Sequence, residues 1–299
     1  MAKLSMKTTP DALNLRVPTG KTVLLQHLQT LVLRGNPYWI GGVVTISKLP
    51  ALATKMAGRY PILRDERARA YDRSKGLASA HFVAYPTCDG IAWWVLTSEG
   101  RCGLADKKSA DAHVAVHALT ANGHIVFEDY VLLYAHKKDA RTLIDAKTGK
   151  EKKVIKNLST WTWKMTTTAY SQALASIGQE VKTLNFGRDD GNALDGVRGA
   201  LAFQRRRPLF SGVRSQVLQL HREAESEWGL VRKSWLGRYT MLAARFGDNA
   251  GRLRTLKEIT SQHLPKMGRF KVFGEMTVAD LWCGEVSVVS ADNPNLSRS

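Results

Sequence analysis

Residues 202–210 read AFQRRRPLF, three consecutive arginines set between apolar residues and a proline. A guanidinium is permanently charged and offers a planar fork of donors, so a run of them suits phosphate. Pro208 disfavours helical geometry at Arg207 and is preorganised for the first position of a helix. The spacing predicts a corner, with the helix GVRGALAFQRR ending at Arg207 and a second helix opening at Pro208. At such a corner the cations either face carbonyls of the first helix, a contact of roughly 0.3–1 kcal/mol per charge, or share a phosphate with the unsatisfied N–H groups of the second. In that second helix Phe210, Val213, Val217, Leu220, Ala224, Trp228 and Val231 recur at steps of three and four, one apolar stripe that leaves Arg214, His221, Arg222 and Glu225 off it.

The surroundings favour phosphate. From Arg188 to Lys271 there are 17 Lys+Arg against 8 Asp+Glu. Arg205, Arg206, Arg207 and Arg214 are therefore expected to bind nucleic acid, together with Lys266, Arg269 and Lys271 of SQHLPKMGRFK. A second basic segment, residues 137–156, carries Lys137, Lys138, Arg141, Lys147, Lys150, Lys152, Lys153 and Lys156. Its central Thr148-Gly149 reads as the tip of a projecting, mobile and exposed β-arm. A two-stranded ribbon of that kind can enter a groove, which makes Lys150, Lys152 and Lys153 further nucleic-acid contacts.

Aromatic residues supply a third element. In STWTWKMT, Trp161, Trp163 and Met165 share one strand face and Thr162, Lys164 and Thr166 the other, the pattern of a half-buried strand. In IAWWVLT the neighbours Trp93 and Trp94 point to opposite faces, so one of them needs cover from a helix, a partner or a ligand. Core packing is the ordinary role for these rings; stacking nucleobases on Trp93, Trp161 and Trp163 is the functional alternative.

Catalytic motifs are incomplete. VPTGKT at 17–22 resembles the end of a P-loop, but Leu15 stands where the first glycine is required. His113 and His117 have the i, i+4 spacing of a metal pair, yet no H-E-x-x-H glutamate lies between them and HVAVHAL alternates like a strand. Asp189, Asp190 and Asp195 cluster in GRDDGNALDG without an EF-hand register, and Asp195 reads as a helix N-cap. Cys88, Cys102 and Cys283 form no C-x-x-C pair, against a disulfide framework or zinc knuckle. No metal and no cofactor is expected. A metal-independent ribonuclease needs a histidine near cations, and His263 beside Lys266, Arg269 and Lys271 is the weak candidate for that role.

A chain of 299 residues with 44% hydrophobic and 23% charged composition specifies a folded protein of one large or two ordinary domains. A net charge of +18 attracts polyanions. No apolar run approaches a membrane span and the N-terminus lacks a signal-type apolar core, so a reducing, cytoplasmic or otherwise intracellular location is expected. Apolar periodicity predicts helices at 21–34, from Ser47, and at 62–75, and a hairpin of AHFVAYP and IAWWVLT around an Asp-Gly turn. Further strands are HIVFEDYVLLYAH and STWTWKMT, with helices after Thr166. The expected fold is α+β: residues 1–186 with a mainly antiparallel sheet and packed helices, then a basic all-helical region, 187–299, with the boundary in the glycine-rich break near 187–196. The leading functional reading is a non-enzymatic nucleic-acid-binding protein, DNA favoured over RNA, such as a replication, partition or transcription accessory factor, with protein partners in a nucleoprotein complex. The alternative is an RNA-binding or metal-independent RNA-processing protein, a subunit of a ribonucleoprotein.

Overall fold

The computed structural model describes residues 10–144, 151–182, 195–246, 264 and 276–283. Helices and antiparallel sheets are mixed, an α+β architecture. The chain divides into two compact units that interleave in sequence: unit one is Met1–His124, His136–Trp161 and Phe270–Ser299, and unit two is Ile125–Ala135 and Thr162–Arg269. Most of the expected boundary segment, 187–194, lies outside the described residues.

In unit one a short helix α1 (Pro10–Leu13) precedes α2 (Lys21–Leu33), which buries Leu24, Leu25, Leu28, Leu31 and Val32. Gly35, with φ +89°, ends it in the left-handed region that glycine alone enters without strain. Asn36 completes the stop, its main-chain and side-chain N–H groups both donating to the Leu31 carbonyl at 3.1 and 2.9 Å. Strand β1 (Tyr38–Val44) follows, then α3 (Leu49–Arg59) and α4 (Glu66–Ser74). Ser47 does not open α3 as the sequence suggested. Ile46–Lys48 form a 3₁₀ turn instead, with Lys48 N–H on the Thr45 carbonyl at 3.0 Å, and Pro50 stands in the first helical turn. The polar helix is four residues shorter at its start than the spacing implied, because Asp65 caps it, accepting from Ala68 N–H at 2.7 Å.

Strands β2 (Ala80–Thr87) and β3 (Gly90–Thr97) form the expected hairpin, and β4 (Val116–His117) completes an antiparallel sheet of order β2-β3-β1-β4. The period-2 alternation sorts the side chains onto two faces. Ile40, Phe82, Ala84, Ile91 and Val95 join Leu49, Ala53 and Met56 of α3 in one buried cluster, which also receives Val278 and Leu281 of α8 (Val278–Cys283). His81, Val83, Trp94 and Leu96 belong to the other face. Gly41 stands opposite Trp94 and Gly42 opposite Trp93. Each indole lies against the glycine across from it, 3.0 Å from where a Gly41 Cβ would stand and 3.5 Å from a Gly42 Cβ. β4 pairs only with Tyr38 and Trp39 of β1.

A second sheet has the order β5-β6-β7: β5 (Val126–Phe127) pairs with β6 (Tyr130–Ile144), which neighbours β7 (Glu151–Met165), and of these strands the residues 126–135 and 162–165 belong to unit two and the rest to unit one. The two 15-residue strands are neighbours and flank residues 145–150, which lie outside the described residues, as does the Thr148-Gly149 read as the tip of an arm. Helix α5 (Thr167–Lys182) buries Ala169, Ala173, Ile177 and Val181, a single stripe at i+4 steps, and packs against α6 (Asp195–Arg205) and α7 (Ser211–Phe246). Phe210, Val213, Val217, Leu220, Ala224 and Trp228 are all buried, as their spacing predicts. No helix among the described residues is long and apolar enough to cross a membrane.

Candidate nucleic-acid interface

The three arginines occupy the corner between α6 and α7, but they do not act as one group. Arg207 is mostly buried: its Nε donates to Gln204 Oε1 at 2.7 Å and its Nη1 to Asp129 Oδ2 at 2.9 Å, and its guanidinium carbon stands 5.9 Å from the Tyr130 ring centre. Those contacts use the fork inside the protein. Arg206 is exposed. Arg205, half-buried, is close enough to His221 of α7 to depress that imidazole's pKa, though burial contributes more.

Pro208 is not the first residue of the second helix. It lies in a short connection, its carbonyl accepting from Phe210 N–H at 2.8 Å, and α7 opens at Ser211. The physical reason lies in strand β7. Thr162 Oγ1 accepts from Gly212 N–H at 3.0 Å and meets Ser211 Oγ at 2.9 Å. Gln216, one turn on, accepts from Met165 N–H at 2.7 Å and donates to the Met165 carbonyl at 3.2 Å, so its amide serves as one more strand residue at the β7 edge. A Cβ on Gly212 would run into the Trp163 carbonyl. The first turn of α7 is thus docked on β7, and the N–H expected for a phosphate is occupied by a threonine.

This docking also changes the reading of STWTWKMT. Trp161, Trp163 and Met165 are buried on one face, while Thr162 on the other is buried as well, at 1% exposure. On that other face Thr160 and Lys164, to either side of Thr162, remain partly exposed. Trp163 packs 6.5 Å from Phe210, ring centre to ring centre, and has no exposed surface for a base. Trp93 is half-buried against the α3 cluster, which supplies the cover its position demanded.

Beside the docked helix lies an open hollow of about 320 Å³, lined by Lys164 of β7, Tyr170 of α5, and Ser215, Gln216, Leu218, Gln219 and Arg222 of α7. Gln219 donates to Glu223 and accepts from Arg222 Nη1 at 3.4 Å. Burial raises the Tyr170 hydroxyl pKa, and the Glu223 carboxylate adds to the effect, so the phenol is neutral and can donate. The hollow combines two cations for phosphate, amide and hydroxyl groups for hydrogen bonds, and the Tyr170 ring with Leu218 as an apolar wall. Sequence reading placed Lys164 and Arg222 on solvent faces without joining them; Tyr170 was missed, since a tyrosine at a helix start carries no signal of its own.

Other expected contacts fall elsewhere. Arg214 is half-buried in the first turn of α7. Lys152 and Lys153 belong to β7, and their side chains are not among those described; Lys150, His263, Lys266, Arg269 and Lys271 lie outside the described residues, as do Asp189 and Asp190. His117 is in β4, its ring 4.7 Å from that of Tyr38, and His113 is exposed in a turn. Among the described residues no group of three or more His, Cys, Asp or Glu is placed to hold a metal ion. No protein-family model matches the chain, and no curated protein or solved structure shows significant similarity to it.

Proposed function

We propose that the protein is a non-enzymatic nucleic-acid-binding protein, acting on DNA as a replication, partition or transcription accessory factor, and that the basic helical region following residue 187 grips phosphate together with Lys164 and Tyr170, which precede it. The observation that carries this reading is the hollow in which Lys164 and Arg222 stand beside Tyr170. Two cations at a nucleotide-sized opening with an aromatic wall suit a phosphate and its base, and a net charge of +18 provides the long-range attraction. Arg205, Arg206 and Arg214 extend the same charge along α6 and α7. A base inside the hollow must be unstacked, which favours single strands and keeps RNA as the second reading.

The test is the affinity for duplex DNA, single-stranded DNA and RNA of one length, each measured over a range of salt. Wild-type protein binds with a steep negative dependence of log K on log salt. Replacing Lys164 and Arg222 with alanine flattens the slope by about 0.7 per lost phosphate contact on a single strand, or about 0.9 on a duplex. Unchanged affinity and slope in that variant would overturn the assignment of the hollow. Cleavage of RNA in EDTA would transfer the protein to the metal-independent ribonucleases.

A further inference from the structure

We propose that Phe203 of α6 is a stacking platform for one unpaired nucleobase, with the exposed Arg206 to hold the phosphate beside it. The proposal rests on the nucleic-acid reading above and deepens it, since it makes a single strand the ligand. The sequence offers Trp93, Trp161 and Trp163 for stacking, but Trp161 and Trp163 are buried. A ring that stacks must lie open. Phe203 is 55% exposed, whereas Phe82, Phe127 and Phe210 are all buried.

An exposed apolar side chain that stands alone on a surface needs no explanation. Phe203 does not stand alone. The Arg207 guanidinium carbon lies over its ring, 6.0 Å from the centre, and is 5.9 Å from the centre of the buried Tyr130 ring. Gln204 at 2.7 Å and Asp129 at 2.9 Å fix that guanidinium in place. It therefore forms a firm support for one face of the phenyl ring, at cation–π distance. A ring held in this way loses little freedom when a base settles on its open side.

Helix geometry supplies the rest. Val197, Leu201 and Gln204 are buried, while Gly199, Ala202, Phe203 and Arg206 are exposed. Gly199 precedes Phe203 by four residues and Arg206 follows it by three, so both are its neighbours along the helix. A Cβ on Gly199 would meet nothing within 4 Å, which leaves the space alongside the ring open to a planar base. The Arg206 N–H donates to the Phe203 carbonyl at 3.2 Å, which holds the arginine on the same last turn, and its guanidinium fork suits a phosphodiester. The 17 Lys+Arg against 8 Asp+Glu from Arg188 to Lys271 make the occupant an anionic one. Ring, cation and clear space are what a single-strand contact requires. In a duplex the bases are already stacked on one another, so the platform is of no use there. It shares no residue with the hollow around Tyr170.

The full-length chain and its Phe203→Leu, Phe203→Trp and Arg206→Gln variants are titrated over a range of salt with a short single-stranded DNA, an RNA of the same sequence and the corresponding duplex DNA. Phe203→Leu keeps an apolar side chain and loses the ring. The expected result is a single-strand affinity roughly tenfold lower, with the salt slope, the duplex affinity and the thermal midpoint at their wild-type values. Phe203→Trp retains the affinity. Arg206→Gln instead flattens the single-strand slope by about 0.7. A larger loss on DNA than on RNA, or the reverse, names the preferred strand, and either supports the proposal. Equal losses on single strand and duplex overturn it. Single-strand binding that Phe203→Leu leaves unchanged also overturns it, and assigns the ring to a protein partner. A wild-type chain that binds none of the three overturns the nucleic-acid reading and the platform together. The Lys164→Ala, Arg222→Ala variant, measured in parallel, tells the two sites apart: loss there without loss in Phe203→Leu overturns the platform alone, and the converse overturns the hollow alone.

Discussion

Thr162 Oγ1 accepts the hydrogen bond of Gly212 N–H at 3.0 Å, so a strand side chain caps the helix that follows it by nearly fifty residues. Thr162→Val keeps the shape and removes the acceptor. The buried N–H is then unsatisfied, and unfolding free energy falls by about 1–3 kcal/mol, whereas Thr162→Ser retains most of it. Gly212→Ala is destabilising by a similar order, about 1–3 kcal/mol, because its methyl overlaps the Trp163 carbonyl. Denaturant unfolding measures all three, and oligonucleotide salt slopes stay at the wild-type value in each.

The arginine corner separates into parts with different phenotypes. Arg207→Ala removes the charge-assisted bond to Asp129 and costs about 1.5–3 kcal/mol, seen as a lower denaturant midpoint. Arg206→Ala, at an exposed position, leaves stability within about 0.5 kcal/mol and lowers oligonucleotide affinity instead. Joint replacement of all three arginines would mix these effects, so single variants are the informative ones. Equal loss of stability in both single variants would show that the division is wrong.

The partly buried histidines His27 and His81 make stability depend on pH. Their folded-state pKa values, about 4 for His27 and about 3 for His81, lie below the ordinary 6.5. Between pH 6.5 and 4 the unfolded chain therefore binds more protons than the folded one, and stability rises with pH. The contribution is complete above pH 6.5 and is lost progressively on acidification, down to about pH 4 for His27 and about pH 3 for His81, by a few kcal/mol in all. Replacing His81 with glutamine flattens the profile of unfolding free energy between pH 6.5 and 4.

The paired glycines of β1 should respond unequally. At Gly41 a Cβ would lie 2.6 Å from the Trp93 carbonyl and 3.0 Å from the Trp94 ring, whereas at Gly42 the nearest atom would be 3.5 Å away. Gly41→Ala should cost about 1–3 kcal/mol through the forced main-chain shift. Gly42→Ala should be neutral or stabilising, since alanine reduces the freedom of the unfolded chain. Thermal unfolding of the two variants decides it.

Local pattern carried most of the fold to the reader of the sequence. The stripe from Phe210 to Trp228, the hairpin of β2 and β3 and the alternation of Trp161, Trp163 and Met165 are each set within a few residues by local pattern, and each is present, although the hairpin turns at Cys88-Asp89 and the Gly90 of the expected Asp-Gly turn already belongs to β3. What escaped depends on contacts between distant segments. Nothing near Pro208 reveals that Thr162 will cap the helix after it, and so shift its start to Ser211. Nothing near Arg207 reveals Asp129, some eighty residues earlier, as the partner that withdraws it from solvent. The hollow was half legible: Lys164 and Arg222 were both placed off the apolar faces, but only packing of α5 and α7 joins them to Tyr170. His27 lies one residue from Leu28 on the buried side of α2, and His81 shares a strand face with Val83, so their burial could have been read from the same periodicities.

The shortness of β4 has a consequence for how the molecules behave in company. Beyond Trp39, the side of β1 away from β3 has no strand partner among the described residues over Ile40–Val44, a length of about 16 Å at 3.3 Å per residue. Such a side is a template onto which another chain can add. Here it passes through Gly41 and Gly42, residues with poor strand preference, before reaching the exposed Val43. The glycines that make room for two indoles therefore also give this unpaired side a low strand preference.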